Sequence, residues 1–164
     1  MVRVSIPTLH YLIIIQNDMK KFLAIITLIV LAIAPAIARD RVVRDESVLP
    51  AEAKTLIKKH FPNVKINHIK IDDHTFGGAD YDVILNNGTE LDFNSKGALE
   101  EIDCGMDAVP ASLVPKPIGE FVAGTYPGQK IVSLSFGRSK YEVELSNGTE
   151  LEYDRNGRFL RIDD

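Results

Sequence analysis

The chain has 164 residues, 19 Lys and Arg against 23 Asp and Glu, and a formal net charge of −4 at pH 7. That length suits one domain or two small ones, and the negative sign excludes nucleic acid as a partner, because phosphates demand a basic surface. The single cysteine, Cys104, cannot close an internal disulfide and forms no Cys-x-x-Cys or Cys/His zinc spacing.

Residues 1–18 match no structural pattern and are expected to be a non-native extension ahead of a true start at Met19. Met19-Lys20-Lys21 leads into the apolar run Phe22 to Ala34, then Ala36-Ile37-Ala38, and charge returns at Arg39-Asp40. A charged leader, an apolar stretch and a small-x-small site make residues 19–38 a signal peptide cut near Ala38. The run is too short for a spanning helix, which needs about twenty apolar residues. No stable membrane span is therefore expected after cleavage, and the mature chain should be periplasmic or secreted. No Cys follows the cut, which argues against a lipoprotein anchor. From Arg39 onward 16 Lys and Arg face 22 Asp and Glu, a formal charge of −6.

The first repeat spans 45–104. Leu49, Ala53, Leu56, Ile57 and Phe61 share one helical face, with Pro50 at the start and Pro62 as the stop. Ile69 and Ile71 then alternate with polar residues as a strand. Tyr81, Val83 and Leu85 point one way along the next strand, and Leu91 and Phe93 continue that face after Asn87-Gly88. An Asn-Gly pair predicts a type I′ hairpin, with φ > 0 at both residues. Asn94 to Gly97 is a further turn, and residues 98–103 form a last strand.

The second repeat spans 105–164. Pro115 and Pro117 place its helix from about Pro117, with Ile118, Phe121 and Val122 inward. Val132, Leu134 and Phe136 predict the next inward face, followed by a turn at Gly137-Arg138-Ser139. Asn147-Gly148-Thr149-Glu150-Leu151 then restates Asn87-Gly88-Thr89-Glu90-Leu91 sixty residues later. Tyr141-Glu142-Val143 answers Tyr81-Asp82-Val83, Gly157 answers Gly97, and Ile162-Asp163 answers Ile102-Asp103. Both Asn-Gly-Thr sequons are explained as turns without glycan. The expected fold is α+β, two tandem repeats, each a helix followed by a four-stranded antiparallel sheet. Its core should include Leu56, Ile57, Phe61, Val83, Leu91, Phe93, Phe121, Val143, Leu151 and Tyr153.

A signal peptide followed by two such repeats, with Tyr-Asp/Glu-Val, Asn-Gly-Thr-Glu-Leu and Gly…Ile-Asp, resembles the PepSY-like exported proteins of Bacteroidetes, related in shape to β-lactamase-inhibitor-type proteins. The likeness covers residues 45–164, and its motifs determine shape rather than catalysis. It implies helices packed on one face of an antiparallel sheet, the other face left open. It also implies binding or inhibition of an envelope protein, often a peptidase.

No nucleophile elbow, phosphate loop or His-Glu-x-x-His occurs, so no enzyme, cofactor or catalytic residue is expected. His60, His68 and His74 lie close in sequence, but strand alternation gives them no common direction, and no metal site is expected. Asp82, Glu90, Asp92, Glu142, Glu144, Glu150 and Glu152 project from the expected open face. They are the candidate binding residues, suited to a basic protein or peptide partner. The expected function is a non-enzymatic protein-binding module of the envelope, inhibitory or otherwise. The alternatives are a small-ligand or cation-binding protein, and a structural envelope protein without a discrete site.

Overall fold

A computed structural model describes residues 41–74 and 77–163. The expected signal peptide at 19–38 and the extension at 1–18 lie outside the described residues. Strand β1 (Arg41–Val43) and a 3-10 turn (Glu46–Val48) precede helix α1 (Ala51–His60). Strands β2 (Ile66–Asp73), β3 (Ala79–Leu85), β4 (Glu90–Phe93) and β5 (Leu99–Asp103) follow. Helix α2 (Lys116–Thr125) leads to β6 (Ile131–Ser135), β7 (Lys140–Leu145), β8 (Glu150–Asp154) and β9 (Phe159–Asp163).

The expected fold class, two repeats each with its own four-stranded sheet, is corrected here. Among the described residues the strands form a single nine-stranded antiparallel sheet in strict chain order, accompanied by two ten-residue helices. Two pairings cause this. Glu101, Ile102 and Asp103 of β5 pair with Ser135, Leu134 and Ser133 of β6, which joins the halves. Arg41–Val43, assigned to no element from sequence, pairs with Ile69–Ile71 and adds a ninth strand. An unpaired strand edge carries unsatisfied backbone groups, so abutting β5 and β6 removes two edges at once.

One apolar row crosses the whole sheet: Val43, Ile69, Val83, Leu91, Ile102, Leu134, Val143, Leu151 and Ile162. Ala53 and Ile57 of α1, and Ile118 and Val122 of α2, are buried in the same core cluster as this face. Most of the expected core residues are buried, but Leu56 and Phe121 are only half-buried. Phe121 instead stacks on Phe159 (centroids 4.9 Å apart) and meets Tyr153 edge-on at 5.7 Å. Tyr153 is fully buried, its hydroxyl has no partner, and burial pushes its pKa up to about 12.

Two local expectations also change. A register shift between Ile131 and Ser133 puts Ile131 and Leu134 in the core cluster. Val132 is buried outside that cluster, where its carbonyl accepts from the Cys104 N–H at 2.9 Å, and Phe136 is half-buried. The Asn-Gly turns are not type I′. Only Gly88 and Gly148 have positive φ (87° and 80°), while Asn87 and Asn147 do not. The Gly88 N–H donates to the Leu85 carbonyl, and Leu85 N–H to the Thr89 carbonyl. This is a three-residue loop in which a left-handed glycine closes a tight turn. The Asn87 side chain accepts from the Thr89 N–H at 3.3 Å, which explains the Asn-Gly-Thr order.

Candidate functional site: the open acidic face of the sheet

Side chains alternate across a strand, so the register that builds the apolar row fixes two polar rows on the opposite face. The first begins at Lys70 and passes through Asp82, Asp92 and Glu101. It continues through Ser135, Glu142 and Glu152 to Arg161. The second runs from His68 and Ile84 through Glu90 and Asp103, then Ser133, Glu144, Glu150 and Asp163. Strands lie about 4.8 Å apart, so the acidic span from Asp82 to Glu152 measures roughly 24 Å. The small side chains of Ser133 and Ser135 leave a depression of about 260 Å³. Glu101, Glu142, Glu144, Glu150, Glu152 and Asp163 also line it.

All seven candidate carboxylates therefore share one face. Asp82, Asp92, Glu142 and Glu152 stand in the first row, and Glu90, Glu144 and Glu150 in the second. Their surroundings differ. Glu90, Glu142 and Glu150 are exposed, and Asp82, Asp92 and Glu144 are half-buried. Glu152 is only 5% exposed. Its carboxylate accepts two hydrogen bonds from the Arg161 guanidinium at 2.8 and 3.0 Å and pairs with Lys140, which also holds Glu142. These cations, Arg161 foremost, hold its pKa down to about 2.

In the first half Glu101 stands where Arg161 stands in the second, so no guanidinium faces Asp92 from that strand. Partial burial, then the charges of Asp82, Glu101 and Glu90, push Asp92 up to about 6. Lys70, 3.3 Å from Asp82, only partly offsets this. Burial, with Asp103, Glu142 and Glu90 nearby, also raises Glu101. The middle of the face is thus a band of mutually repelling carboxylates, with cations toward its two ends.

Sequence reasoning missed Glu101, Asp103 and Asp163 and the flanking cations Lys140 and Arg161. Alternation against Ile102 and Ile162 marks Glu101, Asp103, Arg161 and Asp163 as facing away from the core. What it does not contain is the β5–β6 pairing that brings Glu101 beside Ser135.

The histidines do not converge. His60 meets the Ser112 hydroxyl at 3.1 Å, and His74 meets Asp80 at 2.9 Å. Among the described residues, no three His, Cys, Asp or Glu are arranged to hold a metal ion. Cys104 is buried, and burial raises its thiol pKa, as suits a packing residue. No helix among them is long and apolar enough to cross a membrane.

The family model described as beta-lactamase-inhibitor-like, PepSY-like matches residues 37–77 and 79–161. No functionally curated protein matches the chain. Among solved structures, a protein of Bacteroides vulgatus named as periplasmic and of unknown function is 41% identical. The match covers 77% of this chain and all of that one, with a TM-score of 0.73. Another B. vulgatus protein named as periplasmic is 36% identical, with 79% of this chain and all of that one covered and a TM-score of 0.72. A Bacteroides thetaiotaomicron protein, whose name suggests calcium regulation in the periplasm, is 33% identical. That match covers 76% of this chain and 97% of the other, with a TM-score of 0.71.

Proposed function

The chain belongs to the beta-lactamase-inhibitor-like, PepSY-like family, and from that premise we propose that it is an exported, non-enzymatic protein-binding module of the cell envelope. Its open sheet face receives a cationic segment of a protein partner, an envelope peptidase being the class that the family's inhibitor-like character favours. One observation carries this reading: the register sets Asp82, Asp92 and Glu101 side by side in one row with Glu90 and Asp103 in the next, and partial burial together with their mutual repulsion raises Asp92 and Glu101. A Lys- or Arg-bearing partner would relieve that repulsion, gaining specificity and association rate from charge complementarity.

The test is capture from envelope extract at low salt. The variant is Glu90→Gln, Asp92→Asn, Glu144→Gln and Glu150→Gln together, which leaves Glu152 with its cations. The fold should persist by circular dichroism while capture of cationic partners falls. Unchanged capture of the same proteins would move the interface to the helices or loops.

A second reading rests on the relative whose name suggests calcium regulation. In it the same carboxylates would bind a divalent cation, and calorimetry with calcium alone distinguishes the two. Heat from calcium that is lost in the fourfold variant, without any protein capture, would favour the cation.

A further inference from the structure

We propose that β9 is a dimerisation edge, on which a second copy of this chain pairs its own β9 antiparallel about a two-fold axis through Ile162. The internal repeat supplies the precedent. Ile162 stands where Ile102 stands in the first half, at the same place in the apolar row. Ile102 is completely buried because β6 lies against β5. Ile162 is 49% exposed and Leu160 53%, because no described strand lies beyond β9. The edge strand that the fold covers in its first half is thus left open and five residues long in its second, with Leu160 and Ile162 exposed beside Arg161 and Asp163. Natural edges are usually blunted by shortness or charge. The opposite edge is the shorter one, with three described residues in β1. That disfavours head-to-tail growth, and β9 against β9 remains.

Charge chooses the register. A two-fold axis perpendicular to the sheet must pass through a residue, because opposed residues share a face. Centring on Arg161 would set the two guanidinium groups opposite each other. Centring on Ile162 sets the two Ile162 side chains together on the helix side. It also sets Arg161 opposite Asp163 of the second copy, twice, on the acidic side. The two polar rows then continue into each other across the junction. Arg161 already lies 3.2 Å from Asp163 of its own strand, so the pairing would make an alternating set of four charges. A contact of this length buries less than a standard interface, so the dimer is weak and reversible.

The test is light scattering on protein recovered from the periplasm of cells expressing the full chain, over about a hundredfold range of concentration. The mass should rise from monomer to dimer and stop there. Ile162→Lys should weaken the dimer at least about tenfold while the circular dichroism spectrum stays that of the folded chain. Asp163→Lys should weaken it similarly, by setting the new cation against Arg161. Mixing that variant with Arg161→Asp should restore dimer as a mixed species, since every cross-strand pair is then opposite in sign. If Arg161→Asp does not fold, the first two variants decide. A monomer at all concentrations, a dimer indifferent to Ile162→Lys and Asp163→Lys, or growth beyond the dimer would each overturn the proposal.

Discussion

Asp92 and Glu152 occupy the same position in the two halves and are driven in opposite directions. Burial, then Asp82, Glu101 and Glu90, raises Asp92, whereas Glu152 is held by Arg161 and Lys140, which stand where the first half has Glu101 and Asp80. The stability consequences also oppose each other. The folded pKa of Asp92 is raised from 3.8 to about 6, so the folded chain holds its proton more tightly than the unfolded one. Its effect is therefore to lower stability as pH climbs from about 4 to 6, and the deficit persists above that window. Glu152, lowered from 4.5 to about 2, stabilises the fold above the ordinary carboxyl range and loses that effect as pH falls through it. Asp92→Asn should accordingly raise stability at pH 8 by about 1 kcal/mol, once the half-exposed position is discounted for solvent screening. The gain should vanish near pH 4. Urea melts at both pH values decide, and an equal gain at each would mean that ionisation is not the cause. Capture of a cationic partner should also weaken below about pH 6, as Asp92 takes up its proton.

At the scale of elements, the turns set where the helices sit. Gly97 has φ +84°, and a Cβ there would lie 2.7 Å from the Pro50 Cβ and 3.0 Å from the Ala53 N. The start of α1 rests directly on this turn. Gly157 repeats the arrangement under Pro117 at the start of α2, with a closest approach of 3.0 Å. Gly88 also has positive φ but nothing within 4 Å of an added Cβ. Gly88→Ala should therefore cost about 1–2 kcal/mol for the backbone alone. Gly97→Ala should cost at least about 1 kcal/mol more, from overpacking against the helix. Equal denaturation midpoints would contradict the close docking of α1. The glycines, the alternation and the sixty-residue repeat were all legible in the sequence, because each is a local pattern. All seven candidate carboxylates could be assigned a face for the same reason. The junction of β5 with β6 was not legible, because α2 intervenes and nothing local marks the pairing. Strand β1 is too short to show alternation, and the extra residue in β6 shifts its inward face by one. The neutralisation of Glu152 needed Lys140 and Arg161 from two neighbouring strands, which only the assembled register supplies.

Over the whole molecule, charge is divided between the layers. The exposed Lys54, Lys58 and Lys59 belong to α1, on the helix side, while the acidic rows cover the other face of the sheet. Strand β1 begins at Arg41, so a cut after Ala38 would leave it almost at the mature N-terminus. N-terminal sequencing of exported protein should therefore begin at Arg39, and a product still starting at Met1 or Met19 would refute the leader. The strict chain order of the sheet also bears on how such a chain folds. Every strand pairs with the strands next to it in sequence, so no pairing must wait for a segment far along the chain. Even the longest step, from β5 to β6, encloses little more than α2 and its connections. Contacts this local favour fast folding at small loop-closure cost. A chain delivered through a translocation pore N-terminus first can add each strand to the growing edge as it emerges, and β9 closes the series.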